Sequence, residues 1–160
     1  MDNIIDLATR VGQALSQRSL LMATAESCTG GGIAQAITEI PGSSEWFDCG
    51  FVTYSNASKT ELLDIAEATI AQHGAVSEEI AAAMADAAIA NSQASVAIST
   101  TGIAGPGGAV PGKPVGTVCF GWRVGNSART ERLVFQGDRR AIREQSVAHA
   151  LAGLLRLLDE

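Results

Sequence analysis

Within eight residues, Ala25-Glu26-Ser27-Cys28-Thr29-Gly30-Gly31-Gly32 places two hydroxyls, a thiol, a carboxylate and three glycines. A short apolar run, Leu20 to Ala23, precedes it, and Ile33, Ala36, Ile37 and Ile40 follow at helical spacing. That order predicts strand, tight turn, helix. The start of a helix offers several unpaired N–H groups and the positive end of its dipole. A turn there can hold an anion, or present Ser27 to a carbonyl whose developing oxyanion meets backbone donors. The same residues also suit a structural turn, with Ser27 or Thr29 capping the helix and the glycines permitting close packing. The local pattern leaves both open.

Two further segments that follow expected strands, Tyr54 to Lys59 and Thr101 to Gly108, should open on the same cleft, because ligands in layered α/β folds sit beyond the carboxyl ends of the strands. Lys59 is one of two lysines and Tyr54 is the sole tyrosine. These loops contain no histidine, so a Ser-His-Asp arrangement has no base and a serine–lysine pair is the remaining hydrolytic option. At neutral pH only about one free lysine in a thousand is unprotonated. A basic Lys59 therefore needs burial or a neighbouring cation; otherwise it is a solvated residue at a helix start. Cys28 is either a rival nucleophile at a helix N-terminus or a small buried filler. Arg139, Arg140 and Arg143 cluster at another helix start, where they either cover the surface beside Glu131 and Glu144 or grip a phosphate or carboxylate. Gly107 to Lys113 imitates a phosphate-binding P-loop. Pro114 stands where that motif needs Ser or Thr, and a strand follows instead of a helix, so the motif is rejected.

The elements that must position these groups follow from periodicity. Ile4, Leu7, Ala8, Val11 and Leu15 stripe a first helix over 3–18. Phe47 to Tyr54 reads as a strand, and Ser55 to Lys59 as a polar turn into a helix carrying Leu62, Leu63 and Ile65. Ser77 caps a further helix with Ile80, Ala83, Met84, Ala87 and Ala88 inward. Ala94 to Ser99 is a buried strand, and Thr101 to Pro114 a loop long enough to be functional. Val115 to Val124 and Arg129 to Phe135 form an antiparallel hairpin through Gly125-Asn126, and a closing helix starts near Asp138. Alternating helices and strands with one late hairpin predict a single α/β domain built on a mixed sheet.

The totals narrow the partners. The 160 residues are 46% hydrophobic, enough for a core that needs no disulfide or metal staple. Eleven Lys and Arg against seventeen Asp and Glu give a net charge of -6, which argues against nucleic acid. The N-terminus lacks a signal-peptide layout and no apolar run reaches membrane-spanning length. Three scattered cysteines, Cys28, Cys49 and Cys119, suit a reducing cytoplasm, and His73 and His149 have no ligand spacing to them, so no zinc site is expected.

Taken together, the Ala25 to Gly31 turn, Phe51-Val52-Thr53-Tyr54-Ser55-Asn56 with Lys59, His73 to Ser77, Thr101-Gly102-Ile103-Ala104-Gly105-Pro106, Lys113 to Val118, and Gly137-Asp138-Arg139 with Arg143 resemble the CinA C-terminal domain family. The similarity runs from the first helix to the last, and it implies a three-layer α/β/α sandwich over residues 1–160, in the form without the larger N-terminal domain some members carry. It also implies an amidohydrolase that converts nicotinamide mononucleotide and water to nicotinate mononucleotide and ammonia in pyridine-nucleotide recycling, with no cofactor. Carried over residue by residue, it makes Ser27 the nucleophile, Lys59 its base and Tyr54 an assistant. Thr29, Gly30, Gly31, Thr101 and Gly102 would line the substrate, and Arg143, with Arg139, would hold its phosphate. A cytoplasmic homo-oligomer, a dimer being favoured, is the accompanying expectation. The alternative is a catalytically inactive nucleotide-binding or protein-interaction module linked to competence and DNA damage.

Overall fold

The computed structural model describes residues 3–160. The elements run α1 (Ile4–Gln17), β1 (Met22–Glu26), α2 (Gly32–Thr38), a 3-10 turn (Ser43–Glu45), β2 (Phe47–Val52), α3 (Asn56–Leu63), α4 (Glu67–His73), α5 (Glu78–Ala90), β3 (Val96–Gly102), β4 (Thr117–Val124), β5 (Ser127–Val134) and α6 (Arg139–Leu158). The strands form one mixed sheet in the order β2-β1-β3-β4-β5, with β1, β2 and β3 parallel and β4 and β5 antiparallel. This is the expected α/β class. Several boundaries differ from the sequence reading, with β2 ending at Val52, β4 starting at Thr117 and β5 running Ser127–Val134, and two more bear on the site. β3 continues through Thr101 and Gly102, so the long loop begins at Ile103. The helix expected to carry Leu62 to Ile65 stops at Leu63, because Asp64 adopts φ +56° and turns the chain into the separate α4.

Strand periodicity assigns the two faces. Met22, Val96, Ile98, Val118, Phe120 and Trp122 pack under α1, α2 and α6, whereas Ala23, Ala25 and Ala97 face α3, α4 and α5. The second face is lined by small side chains, and α5 approaches it closely. A Cβ on Gly121 of β4 would sit 2.5 Å from the Ala81 carbonyl oxygen of α5 and 2.6 Å from Ser99 Oγ. The Ser99 hydroxyl donates to that carbonyl at 2.5 Å, tying α5 to β3. β1 and β3 are neighbours whose outgoing chains leave toward opposite edges of the sheet. The crevice between their carboxyl ends is where a ligand is expected in such a fold, and Ser27 follows β1 there, donating its N–H to the Thr100 carbonyl at 2.9 Å.

Candidate active site

Side chains alternate across β1, so Glu26 turns toward α2 and Ser27 toward α3. From α3, Lys59 extends its amine to 3.2 Å from Ser27 Oγ. Lys59 is 1% exposed and Ser27 7%. The amine also donates to the Thr53 carbonyl at 3.0 Å and, more weakly, to the Tyr54 carbonyl at 3.5 Å. A neutral amine has two N–H donors and one lone pair. In the charged form the amine donates to Ser27 as well; in the neutral form the two carbonyls take both donors and the lone pair falls to the serine hydroxyl, the arrangement a general base requires. Burial lowers the Lys59 pKa from its usual range, as the cost of desolvating an ammonium demands. Among the described residues no carboxylate forms an ion pair with Lys59.

The local sequence explains why the lysine arrives there. Ser55 caps α3, accepting from Ser58 N–H at 3.1 Å, and Lys59 falls one turn later on the inward face beside Leu63. Past Leu63, the Ile65 N–H reaches back to the Lys59 carbonyl at 3.3 Å, closing the helix end. Cys28, 4% exposed, is packed in the apolar cluster with Ile33 and Ile37, and burial pushes its thiol pKa up to about 12. A thiol held neutral is a filler, not a nucleophile.

The turn after Ser27 passes through Gly30 at φ +60° and Gly31 at φ +96°, a left-handed path that side chains resist. The buried Glu26 carboxylate secures the far side. It accepts from Thr29 Oγ1 at 2.6 Å, Ile33 N–H at 2.8 Å and Ala34 N–H at 3.0 Å, and Thr29 in turn shares a 2.8 Å hydrogen bond with Thr100. The N–H groups at the start of α2, expected to form an oxyanion site, are thus partly taken by this internal anion. Gly30 N–H donates to the Ser27 carbonyl at 3.0 Å and Gly32 N–H to the Thr29 carbonyl at 2.9 Å. Those of Thr29 and Gly31 enter no backbone hydrogen bond of the turn.

The remaining sequence-derived residues surround this pair at varying remove. Thr101, 1% exposed, donates to the Ala75 carbonyl at 2.8 Å, and Gly102 has no room for a side chain, since a Cβ would lie 2.8 Å from the Thr117 carbonyl oxygen. Tyr54 brings its carbonyl to Lys59, but its ring is 59% exposed. The Tyr54 hydroxyl accepts from Arg139 Nη2 at 2.7 Å, while Arg139 Nη1 donates to the Gly105 carbonyl at 2.7 Å. Arg139 therefore links the loops after β2 and β3 to the start of α6. Arg143 donates from Nε to the Cys28 carbonyl at 3.1 Å and from Nη2 to the Thr29 carbonyl at 3.4 Å. Arg140 is a surface partner of Glu144. A groove of about 490 Å³ between α1, α2 and α6 meets Thr29 and Arg143 from behind the turn, but neither Ser27 nor Lys59 lines it. The catalytic candidate is the buried pair, whose geometry carries chemistry that the groove's lining lacks. No group of His, Cys, Asp and Glu able to hold a metal is present among the described residues.

Sequence reasoning missed three contributors. Glu26 was part of the motif without a role, although a carboxylate ending a buried strand is a signal in itself. The Thr53 carbonyl has no side-chain signature, and Thr100 fell between the strand read as ending at Ser99 and the loop read as starting at Thr101.

A family model described as the CinA C-terminal domain matches residues 4–158. The nicotinamide-nucleotide amidohydrolase PncC of Pseudomonas putida is 53% identical over 160 residues, 100% of both chains. That of Escherichia coli K12 is 49% identical over 152 residues, 94% of this chain and 92% of its own. The solved competence damage-inducible protein A of Klebsiella pneumoniae superposes with a TM-score of 0.96 at 36% identity, covering 99% of each chain. With sequence and backbone agreeing from α1 to α6, the chain belongs to the CinA C-terminal domain family.

Proposed function

We propose that the chain is an amidohydrolase acting on nicotinamide mononucleotide, releasing nicotinate mononucleotide and ammonia. The observation that carries this reading is the buried Lys59 amine, 3.2 Å from Ser27 Oγ with its N–H groups committed to backbone carbonyls. The relatives' printed names supply the substrate. Neutral Lys59 takes the Ser27 proton as Oγ bonds to the carboxamide carbon, forming a tetrahedral oxyanion. The lysine ammonium returns that proton to the departing nitrogen, the C–N bond breaks, and ammonia leaves behind a seryl ester. Water then attacks the ester carbon and gives its proton to Lys59. When the C–Oγ bond breaks, Ser27 recovers the proton and the carboxylate is free.

Thr29, Gly30 and Gly31 line the turn beneath the reacting carbonyl, with Thr101 and Gly102 across the crevice at the end of β3. The resemblance gives the phosphate first to Arg143; because Arg143 donates to the Cys28 and Thr29 carbonyls, this reading gives it to Arg139, and Tyr54, hydrogen-bonded to Arg139, closes that side of the substrate. The inactive-module alternative leaves a cost unexplained, since burying a lysine without a carboxylate partner is unfavourable unless the amine is used neutral. Purified protein incubated with nicotinamide mononucleotide and a chelator is expected to release ammonia and nicotinate mononucleotide, and Ser27→Ala to release none above background. Binding of the mononucleotide by wild type without ammonia release would instead establish the binding module.

A further inference from the structure

We infer that Arg143 is a positioning residue for the nucleophile turn, setting the Thr29 N–H as a donor to the developing oxyanion. This rests on the amidohydrolase reading and deepens it. The guanidinium forks onto two successive carbonyls, Cys28 by Nε at 3.1 Å and Thr29 by Nη2 at 3.4 Å. In a trans peptide the carbonyl and the following N–H point in opposite directions, and the one cis bond among the described residues is Gly105-Pro106. Fixing the Cys28 carbonyl on Arg143 therefore aims the Thr29 N–H away from α6, toward the layer that holds Lys59. Fixing the Thr29 carbonyl does the same for the Gly30 N–H, which meets the Ser27 carbonyl at 3.0 Å.

Three observations leave this donor for the task. The Ile33 and Ala34 N–H groups are consumed by Glu26. Among the described residues the Thr29 N–H has no backbone acceptor. A Cβ on Gly30 would lie 3.0 Å from Arg143 Nη2, so the turn is shaped around the guanidinium. Arg143 spends two of its donors on the turn, and its main influence falls on the transition state, where the oxyanion exists, with little on phosphate binding.

Substrate truncation separates the two roles. Arg143→Ala and Arg143→Lys are assayed by ammonia release on nicotinamide mononucleotide and on nicotinamide riboside, which lacks the phosphate. Arg139→Ala serves as the phosphate-site comparison. Loss of one oxyanion donor costs about 10²- to 10³-fold in kcat, and a donor left in place but unfixed should cost about 10- to 100-fold. Both Arg143 variants should lose kcat by that factor on both substrates, with KM within about threefold, and added guanidinium should restore part of the rate in Arg143→Ala. Arg143→Lys keeps the charge but loses the planar fork that spaces the two donors, so its deficit excludes a purely electrostatic role. Arg139→Ala should raise KM more on the mononucleotide than on the riboside, the contrast expected of a phosphate ligand. A defect of the Arg143 variants confined to KM on the mononucleotide overturns the inference and returns Arg143 to the phosphate. If wild type releases ammonia and Arg143→Lys matches it in kcat, the positioning role alone fails. A wild type without ammonia release refutes the amidohydrolase reading and the inference with it.

Discussion

Replacing Lys59 by methionine removes the amine while keeping a flexible apolar chain of similar length. Its nitrogen lies 3.2 Å from Ser27 Oγ and meets the Thr53 and Tyr54 carbonyls. A positioned general base contributes about 10²- to 10⁴-fold, or about 2.7–5.5 kcal/mol of barrier. That is the loss in kcat expected for Lys59→Met. The variant also strips donors from the buried Thr53 carbonyl and the partly buried Tyr54 carbonyl, at about 1–3 kcal/mol each, offset by no longer desolvating an amine. In wild type, kcat/KM should rise with pH as Lys59 deprotonates, with a midpoint below the ordinary lysine value of about 10.4, because burial lowers the folded-state pKa. Stability should follow the same sign. In the window between the lowered folded value and the ordinary unfolded one, the unfolded chain binds the extra proton. The Lys59 contribution to stability is thus full above the unfolded value and declines as pH falls through the folded one. Ammonia release over about pH 6–10, with urea midpoints at the same pH values, measures both. The base assignment is refuted if Lys59→Met keeps kcat within tenfold of wild type, or if its rate keeps the wild-type ascending limb.

Cys28→Ala should retain kcat within about threefold, since a thiol with a pKa of about 12 is un-ionised at working pH. Abolished turnover in that variant beside an active Ser27→Ala would transfer the nucleophile to the thiol. Gly121→Ala drives a methyl to 2.5 Å from the Ala81 carbonyl oxygen, and overpacking of this kind costs about 1–3 kcal/mol. In a domain of this size each kcal/mol lowers the melting temperature by about 2–4 °C. A calorimetric midpoint equal to wild type would show that α5 is not seated against the sheet as described.

The strand–turn–helix around Ser27 was legible because an apolar run, small polar residues and glycines each favour the same local path. The hairpin at Gly125-Asn126 was legible for a similar reason, and Val124 pairs with Ser127 across it. The break at Asp64 was not, because the left-handed residue there is an aspartate and the apolar pattern continues through Ile65. Nor could spacing bring Lys59 to Ser27, which lie 32 positions apart on elements brought together by the β1–β2 pairing and by the shared packing of Ala23, Ala25 and Leu63. Local preference sets each element; which side chains meet depends on register and on how closely layers approach. The sequence placed Ala83, Ala87 and Ala88 of α5 inward, but only the Gly121 contact with Ala81 shows how closely that layer approaches the sheet.

If Lys59 is the base proposed above, Glu26 and Ser27 show how the two-residue period of a strand keeps it usable as one. A carboxylate beside an amine favours the ammonium and raises its pKa, which would disable Lys59. The motif nevertheless has a carboxylate next to the nucleophile. Alternation resolves the conflict by turning Glu26 to the opposite face, where three donors at the start of α2 saturate it. Burial is then left to dominate Lys59, and the opposing influence of Cys28 requires a thiolate that burial keeps from forming. A slip of one residue in β1 would exchange the two side chains, giving Lys59 an acid and α2 a serine. On the proposed mechanism the buried carboxylate, held by three donors, has a catalytic consequence without touching the substrate: it favours the β1 register that leaves the amine beside Ser27 without an anionic neighbour.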